Sequence, residues 1–171
     1  ETEPYYEFDL AKAQELLATA GYAPGDLTAR LLIQNDPSSG LMAQVIQAEL
    51  AELGITVNID AEESSVFNTM AYDPAAFDMV INAAASRDFV VNVWKLSYEA
   101  ARYNGTTSNF FVDDQLQQLL TTAGTVDGHT PENMDAFQQY AKEKAYMYGL
   151  LSKFNFVVGV DGITKVVRDA R

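Results

Sequence analysis

The stretch 75-AAFDMVINAAASRDFVVNVW-94 decides the fold that we expect for this chain. It begins with an apolar run at residues 77–81, which has the length of a buried strand and is too short for a good helix. Three alanines and a polar turn at residues 86–89 follow. In open α/β sheets, ligands bind beyond the carboxyl ends of the strands, where small residues let a ligand approach the backbone. The pattern therefore predicts a ligand-binding strand end at residues 82–89. A tight strand-to-helix connection with ordinary solvated charges is the alternative.

The candidate ligand contacts lie at this strand end and in the amphipathic segment after it. They are Asn82, Ala84, Ser86, Arg87, Asp88, Phe89 and Trp94. Trp94 is the first choice among the aromatic residues, because tryptophan and tyrosine supply a large contact area with few rotatable bonds. We expect most other aromatic residues to pack in the core or at its rim.

The composition favours a single globular domain. The length of 171 residues is enough for one domain with a substantial core. Hydrophobic residues make up 48% of the chain, which argues against disorder. No run approaches the roughly 20 apolar residues that span a bilayer, so we expect no direct membrane insertion. We expect one α/β domain over residues 1–171 and, because the chain begins at Glu1, a piece of a longer protein.

The charge balance and the lack of cysteine exclude several classes of function. The chain has 24 acidic and 11 basic residues and a net charge of -13. A polyanion would be repelled, and the clusters of lysine and arginine that bind nucleic acids or anionic membranes are missing. Without cysteine there is no disulfide, thiolate catalysis or cysteine-based zinc site. This composition suits an exported bacterial protein.

Catalytic and cofactor motifs are missing from the sequence. The single histidine, His129, is expected in a surface loop, because a metal site needs further ligands. The acidic pairs at residues 62–63 and 113–114 fit solvated helix starts better than an acid–base pair. There is no G-x-S-x-G, P-loop or G-x-G-x-x-G pattern. We therefore expect no enzyme, no cofactor and no metal.

The periodicity of the remaining chain predicts alternating helices and strands. The expected order begins with a helix capped by Asp9 and closed by Gly21, a strand at 27–33, a loop at 35–40, a helix from Met42 to Leu53 that Gly54 ends, and a strand at 55–59. It continues with a short helix at 62–72, the strand at 77–81, a poorly capped helix at 90–101, a helix capped by Asp113, a long helix capped by Thr130 and a strand at 154–160. The long helix has Met134, Phe137, Ala141, Ala145 and Tyr148 on its inward face. Strands joined by crossover helices usually lie parallel.

Taken in order, these segments resemble the C-terminal lobe of the extracytoplasmic solute-binding proteins of the peptide/nickel class, which serve ABC importers. The segment 8-FDLAKAQELL-17 with Ala20-Gly21-Tyr22 is similar to the family's Y-D-P-x-K-A-K-x-L-L-x-x-A-G-Y. The segment 47-QAELAELGI-55 is similar to its Q-x-x-L-x-x-I-G-I. Phe77-Asp78-Met79 matches the strand that enters the ligand cleft, and residues 104–120 and 143–158 resemble later segments.

The resemblance implies an α/β fold with a mixed sheet and flanking helices, as one lobe of a type II, Venus-flytrap architecture. It also implies a function: capture of peptides or similar small solutes by closure of two lobes, and delivery to a membrane permease. The expected partners are the ligand, the N-terminal lobe of the same chain and the ABC permease. The expected location is extracytoplasmic, in the periplasm or as a cell-surface lipoprotein.

The sequence departs from the family at the expected ligand contacts. Where the family has Gly-Trp and then an acidic residue that anchors a peptide's amino group, this chain has Ala83-Ala84 and Arg87, with Asp88 after it. Either Asp88 takes the anchoring role, or the ligand lacks a free ammonium. An arginine would suit a ligand carboxylate, which it binds bidentately. Two other functions remain open: a small α/β enzyme that uses Arg87 and Asp88, and a cell-surface interaction module.

Overall fold

The protein is described by a computed structural model over residues 6–71, 73, 75–82 and 113–150. The helices are α1 (Leu10–Thr19), α2 (Pro37–Glu52), α3 (Ser64–Met70), α4 (Asp114–Ala123) and α5 (Pro131–Lys144). The strands are β1 (Thr28–Gln34), β2 (Thr56–Glu62) and β3 (Met79–Val80). No helix of these residues is both long and apolar enough to cross a membrane.

The described strands form a parallel sheet in the order β2-β1-β3. Strand β1 pairs with β2 from Thr28↔Thr56 to Gln34↔Glu62, and with β3 at Leu31↔Met79 and Leu32↔Val80. The central strand is buried on both faces at residues 31–33, as expected for a parallel sheet covered by other elements. The α/β fold with flanking helices is confirmed, and the helix predicted at 90–101 and the strand predicted at 154–160 lie outside the described residues.

One hydrophobic core lies between α2 and the sheet. Its buried members are Leu31, Ile33, Ala43 and Val57, and Ile46, Leu50, Ile55, Ile59, Met79 and Ile81 pack around them. Side chains two residues apart on a strand share a face, so β1, β2 and β3 each contribute alternate residues to this core. The side-chain amide of Gln47 donates to the Val57 carbonyl at 2.6 Å and ties α2 to β2.

The predicted helix caps are confirmed. Asp9, Asp113 and Thr130 each accept a hydrogen bond from the backbone N–H three residues on. Gly21, next after the C-cap of α1, has φ +88°, a backbone conformation that glycine adopts without a steric penalty. Gly54 likewise follows the end of α2, with φ +76°.

The start of α2 was predicted too late. Residues 37–40 belong to its first turn and not to the predicted loop, because Asp36 caps the helix. The Asp36 carboxylate accepts from the backbone N–H groups of Ser38 and Ser39, and Pro37 occupies the first helical position, where a missing N–H costs nothing.

Two further predicted boundaries change. Glu62 is the last residue of β2 and does not start a helix, since the β1–β2 ladder continues to the pair Gln34↔Glu62. The strand predicted at 77–81 is reduced to Met79–Val80, although the N–H groups of Asp78 and Ile81 still donate to carbonyls of β1.

Helices α4 and α5 form a hairpin with its own core of Leu116, Leu120, Phe137 and Ala141. The predicted inward face of α5 is wrong at its end: Ala145 has φ +51° and closes the helix, and Tyr148 is 61% exposed. Among the described residues, α1 has no buried residue, and Leu16 of its apolar face is 58% exposed.

Asp113 links the start of α4 to the end of α5. Besides capping α4, its carboxylate accepts hydrogen bonds from the hydroxyls of Tyr140 at 3.0 Å and Tyr146 at 2.9 Å. The bond from the Leu116 backbone N–H is the main cause that holds the pKa of Asp113 below its ordinary value. Tyr6 reaches the same end of α5 and donates to the Lys142 carbonyl at 2.6 Å.

Candidate functional site

The carboxyl ends of the three described strands meet at one edge of the sheet, which we call the carboxyl edge. It is formed by Gln34, Asn35, Asp36, Glu62, Glu63, Ser64 and Asn82. Gln34 pairs with Glu62. Continuing the β1–β3 register two residues beyond Leu32↔Val80 brings Gln34 level with Asn82. This edge is the place where open α/β sheets bind ligands.

Hydrogen bonds fasten the end of β1 to the start of α3. The side-chain amide of Asn35 donates to Glu63 Oε1 at 2.9 Å, and its backbone N–H donates to the Glu62 carbonyl at 2.8 Å. Next to it, Gln34 Nε2 donates to Ser64 Oγ. Asn35, Glu63 and Ser64 are all exposed, so they are fixed in position and accessible to a ligand at the same time.

The N-terminus of α2 opens at the carboxyl edge, but its anion-binding groups are already used. The N–H groups of Ser38 and Ser39 donate to Asp36 Oδ1 at 3.0 and 3.1 Å. The hydroxyl of the buried Ser39 donates to the other oxygen of Asp36. Asp36 thus takes the place that a bound anion would take at a helix N-terminus.

The described part of the carboxyl edge is acidic. It carries the carboxylates of Asp36, Glu62 and Glu63 and no lysine or arginine. The cationic side chain on the described sheet is Arg30, which lies at the opposite, amino end of β3 with Asp78. The three carboxylates at the carboxyl edge favour the approach of an ammonium group and disfavour that of another carboxylate.

The structure places one of the seven predicted contacts. Asn82 is exposed and follows β3 at the carboxyl edge. Ala84, Ser86, Arg87, Asp88, Phe89 and Trp94 lie outside the described residues. Gln34, Asn35 and residues 62–64 were not among the contacts predicted from the sequence. Part of the signal was available, because Gln34 directly follows the strand predicted at 27–33 and parallel neighbours end at the same edge. Residues 62–64 were predicted to begin a helix, so their place at the strand end came from the structure.

His129 and the acidic pair at residues 113–114 lie where the sequence indicated, whereas Glu62 of the other acidic pair ends β2. His129 is an exposed residue of the loop before α5, with Nδ1 3.3 Å from the Ala123 carbonyl oxygen. Asp113 and Asp114 sit at the start of α4. Within the described residues, no group of three or more histidine or acidic side chains is arranged to hold a metal ion.

The parallel sheet with flanking helices is the fold of the type II periplasmic-binding proteins, which are among the solved structures similar to this chain. Residues 1–125 match the family described as bacterial extracellular solute-binding proteins, family 5 (middle). The chain belongs to this family, as its sequence segments predicted. The family is one of solute-binding proteins, and the similar solved structures include a dipeptide-binding protein.

Three solved structures illustrate the similarity. HbpA2 from Haemophilus parasuis is 24% identical with a TM-score of 0.64, over 82% of this chain and 28% of that one. AgaA from A. tumefaciens R10, in complex with agropinic acid, is 27% identical with a TM-score of 0.67, over 83% and 30%. A dipeptide-binding protein from Pseudoalteromonas sp. SM9913, in complex with Met-Leu, is 21% identical with a TM-score of 0.65, over 83% and 31%.

This chain thus matches less than a third of the length of each of these structures. A comparison with curated proteins gives no match.

Proposed function

We propose that this chain is the C-terminal ligand-binding lobe of a longer extracytoplasmic solute-binding protein. The whole protein captures a peptide or a similar small solute by closing two lobes around it, and delivers the solute to the permease of an ABC importer. The N-terminal lobe of the same protein supplies the opposite wall of the cleft. The protein acts in the periplasm or as a cell-surface lipoprotein, without catalysis, metal or cofactor.

The observation that carries this proposal is the carboxyl edge of the parallel sheet. Asn35, Glu63 and Ser64 are exposed there and held by hydrogen bonds. Such fixed groups select a ligand without having to be ordered when it binds, which lowers the entropic cost of binding. Asn82 leads from the same edge into the predicted contact segment at residues 82–94.

We infer the ligand class from two charged groups, one at the carboxyl edge and one in the predicted contact segment. Glu63 supplies an acidic group at the described edge, which suits an ammonium. Arg87 in the predicted segment suits a carboxylate, which it binds bidentately. A zwitterion such as a short peptide satisfies both. Two structural relatives are in complex with agropinic acid and with the dipeptide Met-Leu, so the fold accepts small solutes of this kind.

Mass spectrometry of ligands that co-purify with the full-length protein tests this function. We expect one small solute or a family of short peptides, and titration calorimetry with the recovered compound should give saturable binding. The double variant R87A/D88A should lose affinity and show no turnover of the compound. Chemical conversion of the compound by the wild-type protein would instead support the small-enzyme alternative.

A single lobe holds only half of the contacts, so the 171-residue chain should bind the same compound very weakly. Micromolar binding by this chain alone would contradict the two-lobe mechanism. A protein partner captured from the cell surface, with no change in melting temperature on adding small solutes, would favour the interaction-module alternative.

A further inference from the structure

Arg30 in β1 clamps the segment that leads into β3. Its backbone N–H donates to Asp78 Oδ2 at 2.7 Å, and its Nε donates to the same oxygen at 3.2 Å. Its Nη1 donates to the Ala75 carbonyl at 2.9 Å. The Asp78 N–H returns a bond to the Arg30 carbonyl at 3.1 Å. We call these contacts the Arg30–Asp78 clamp.

The clamp is exposed, so its value for stability is small. The two side chains are 47% and 48% exposed. Exposed ion pairs contribute little to the free energy of unfolding, because water screens them. The hydrogen bonds from Arg30 nevertheless hold the pKa of the Asp78 carboxyl below its ordinary value, which means that the charged pair is favoured in the folded protein.

The apolar pattern of β3 leaves its register ambiguous. Met79 and Ile81 pack with the core under α2. A shift by one residue would turn them to the other face and is strongly disfavoured. A shift by two residues keeps the faces, since Phe77, Met79 and Ile81 alternate in the same phase. Such a shift would move the strand by about 7 Å along β1.

The clamp distinguishes between these registers. A two-residue shift would bring Ala76 or Val80 level with Arg30 in place of Asp78, and neither side chain can accept a hydrogen bond from the guanidinium. Strand β3 has only two ladder residues of its own. The Asp78 carboxylate is therefore the feature of this segment that favours one register with β1 over the two shifted ones.

We infer that Arg30 is a positioning residue of the binding site: by pairing with Asp78 it selects the register of β3 and so sets Asn82 level with Gln34 at the carboxyl edge. This role rests on the proposed function, because the position of Asn82 affects ligand binding only if the carboxyl edge is the binding edge. Arg30 itself lies toward the amino end of the strands, away from the carboxyl edge.

These 171 residues contain no cysteine, so engineered cysteine pairs, identified by peptide mapping of the oxidised protein, can report the register directly. Gln34→Cys with Asn82→Cys samples the observed register, while Gln34→Cys with Val80→Cys or Ala84→Cys samples the two shifted ones. Each pair is oxidised in the full-length protein, in backgrounds that contain Arg30, Arg30→Ala or Arg30→Lys. Lys12→Ala, which breaks the exposed pair of Lys12 with Glu15, is the matched control.

With Arg30 present, the 34–82 disulfide should dominate over both shifted disulfides. In Arg30→Ala its preference should fall about two- to fivefold, the range that an exposed ion pair can contribute. Arg30→Lys should restore part of the preference, and Lys12→Ala should leave it unchanged. Equal preferences in Arg30 and Arg30→Ala proteins that melt at the same temperature would overturn the inference.

The assay needs no ligand, so its outcome is separate from that of the proposed function. If no solute binds the full-length protein, the function fails while the disulfide preference still reports the register. If the preference is insensitive to Arg30 while solute binding is intact, the positioning role alone fails.

Discussion

Asn35 and Glu63 hold the ends of β1 and β2 together through a hydrogen bond of 2.9 Å from the Asn35 side-chain amide to Glu63 Oε1. Neither residue was singled out as a ligand contact from the sequence. The bond crosses between two parallel strands at the edge where a ligand is expected. It fixes a carboxylate that would otherwise be a freely rotating surface group.

Replacing this carboxylate should weaken ligand binding. Glu63→Gln keeps an oxygen for the Asn35 amide but removes the charge, so the affinity of the full-length protein for a ligand with an ammonium group should fall about three- to tenfold. Titration calorimetry with the co-purified solute measures the change. Glu49→Gln, an equivalent change at an exposed position of α2, should leave the affinity unaltered. An equal loss of affinity in both variants would mean that the net charge of the protein, and not the position of Glu63, governs binding.

The acid sensitivity of the hairpin should depend on Asp113. Its pKa in the folded protein is below the ordinary value of 3.8. Its stabilising contribution is therefore complete above about pH 4 and is lost as the pH falls through the lower folded value. Asp113→Asn can still cap α4 but cannot titrate. The melting temperature of this variant should therefore fall less between pH 5 and pH 2 than that of the wild type, by about one to two degrees. Identical pH profiles would contradict this role.

The core under α2 should be sensitive to truncation. Leu31 is 2% exposed in this core, and Leu31→Ala should lower the free energy of unfolding by about 2–5 kcal/mol. Leu41 is 66% exposed on α2, and Leu41→Ala should change it by less than about 0.5 kcal/mol. Urea denaturation measures both. Comparable losses in the two variants would show that Leu41 is covered by another part of the protein.

Two glycines should respond to alanine in opposite directions. Gly40 lies inside α2 with open space around its missing side chain, so Gly40→Ala should stabilise the protein by about 0.5–1 kcal/mol. Gly54 has φ +76°, and a Cβ there would approach the Pro24 Cβ to 2.6 Å, so Gly54→Ala should destabilise it. Thermal melts compare the variants. A stabilising Gly54→Ala would mean that the turn at Pro24 adjusts without strain.

Local chemistry explains what was predicted well. The caps at Asp9, Asp113 and Thr130 were read from residue type and spacing, because a cap bonds within its own first turn. Asp36 shows the limit of this approach. The polar run after Asp36 is typical of a loop as well as of a helix start. The structure shows a helix start, because the Asp36 carboxylate accepts from the backbone N–H groups of Ser38 and Ser39.

The sequence by itself determined the family, the alternation of helices and strands, and the expectation that a ligand binds beyond the strand ends, because these depend on order, periodicity and residue type along the chain. Only the tertiary structure decided that Gln34, Asn35, Glu63 and Asn82 share one edge, and that Arg30 pairs with Asp78 from 48 residues away. Strand pairing and register arise from contacts between distant segments, and a local pattern that repeats every two residues leaves the register open.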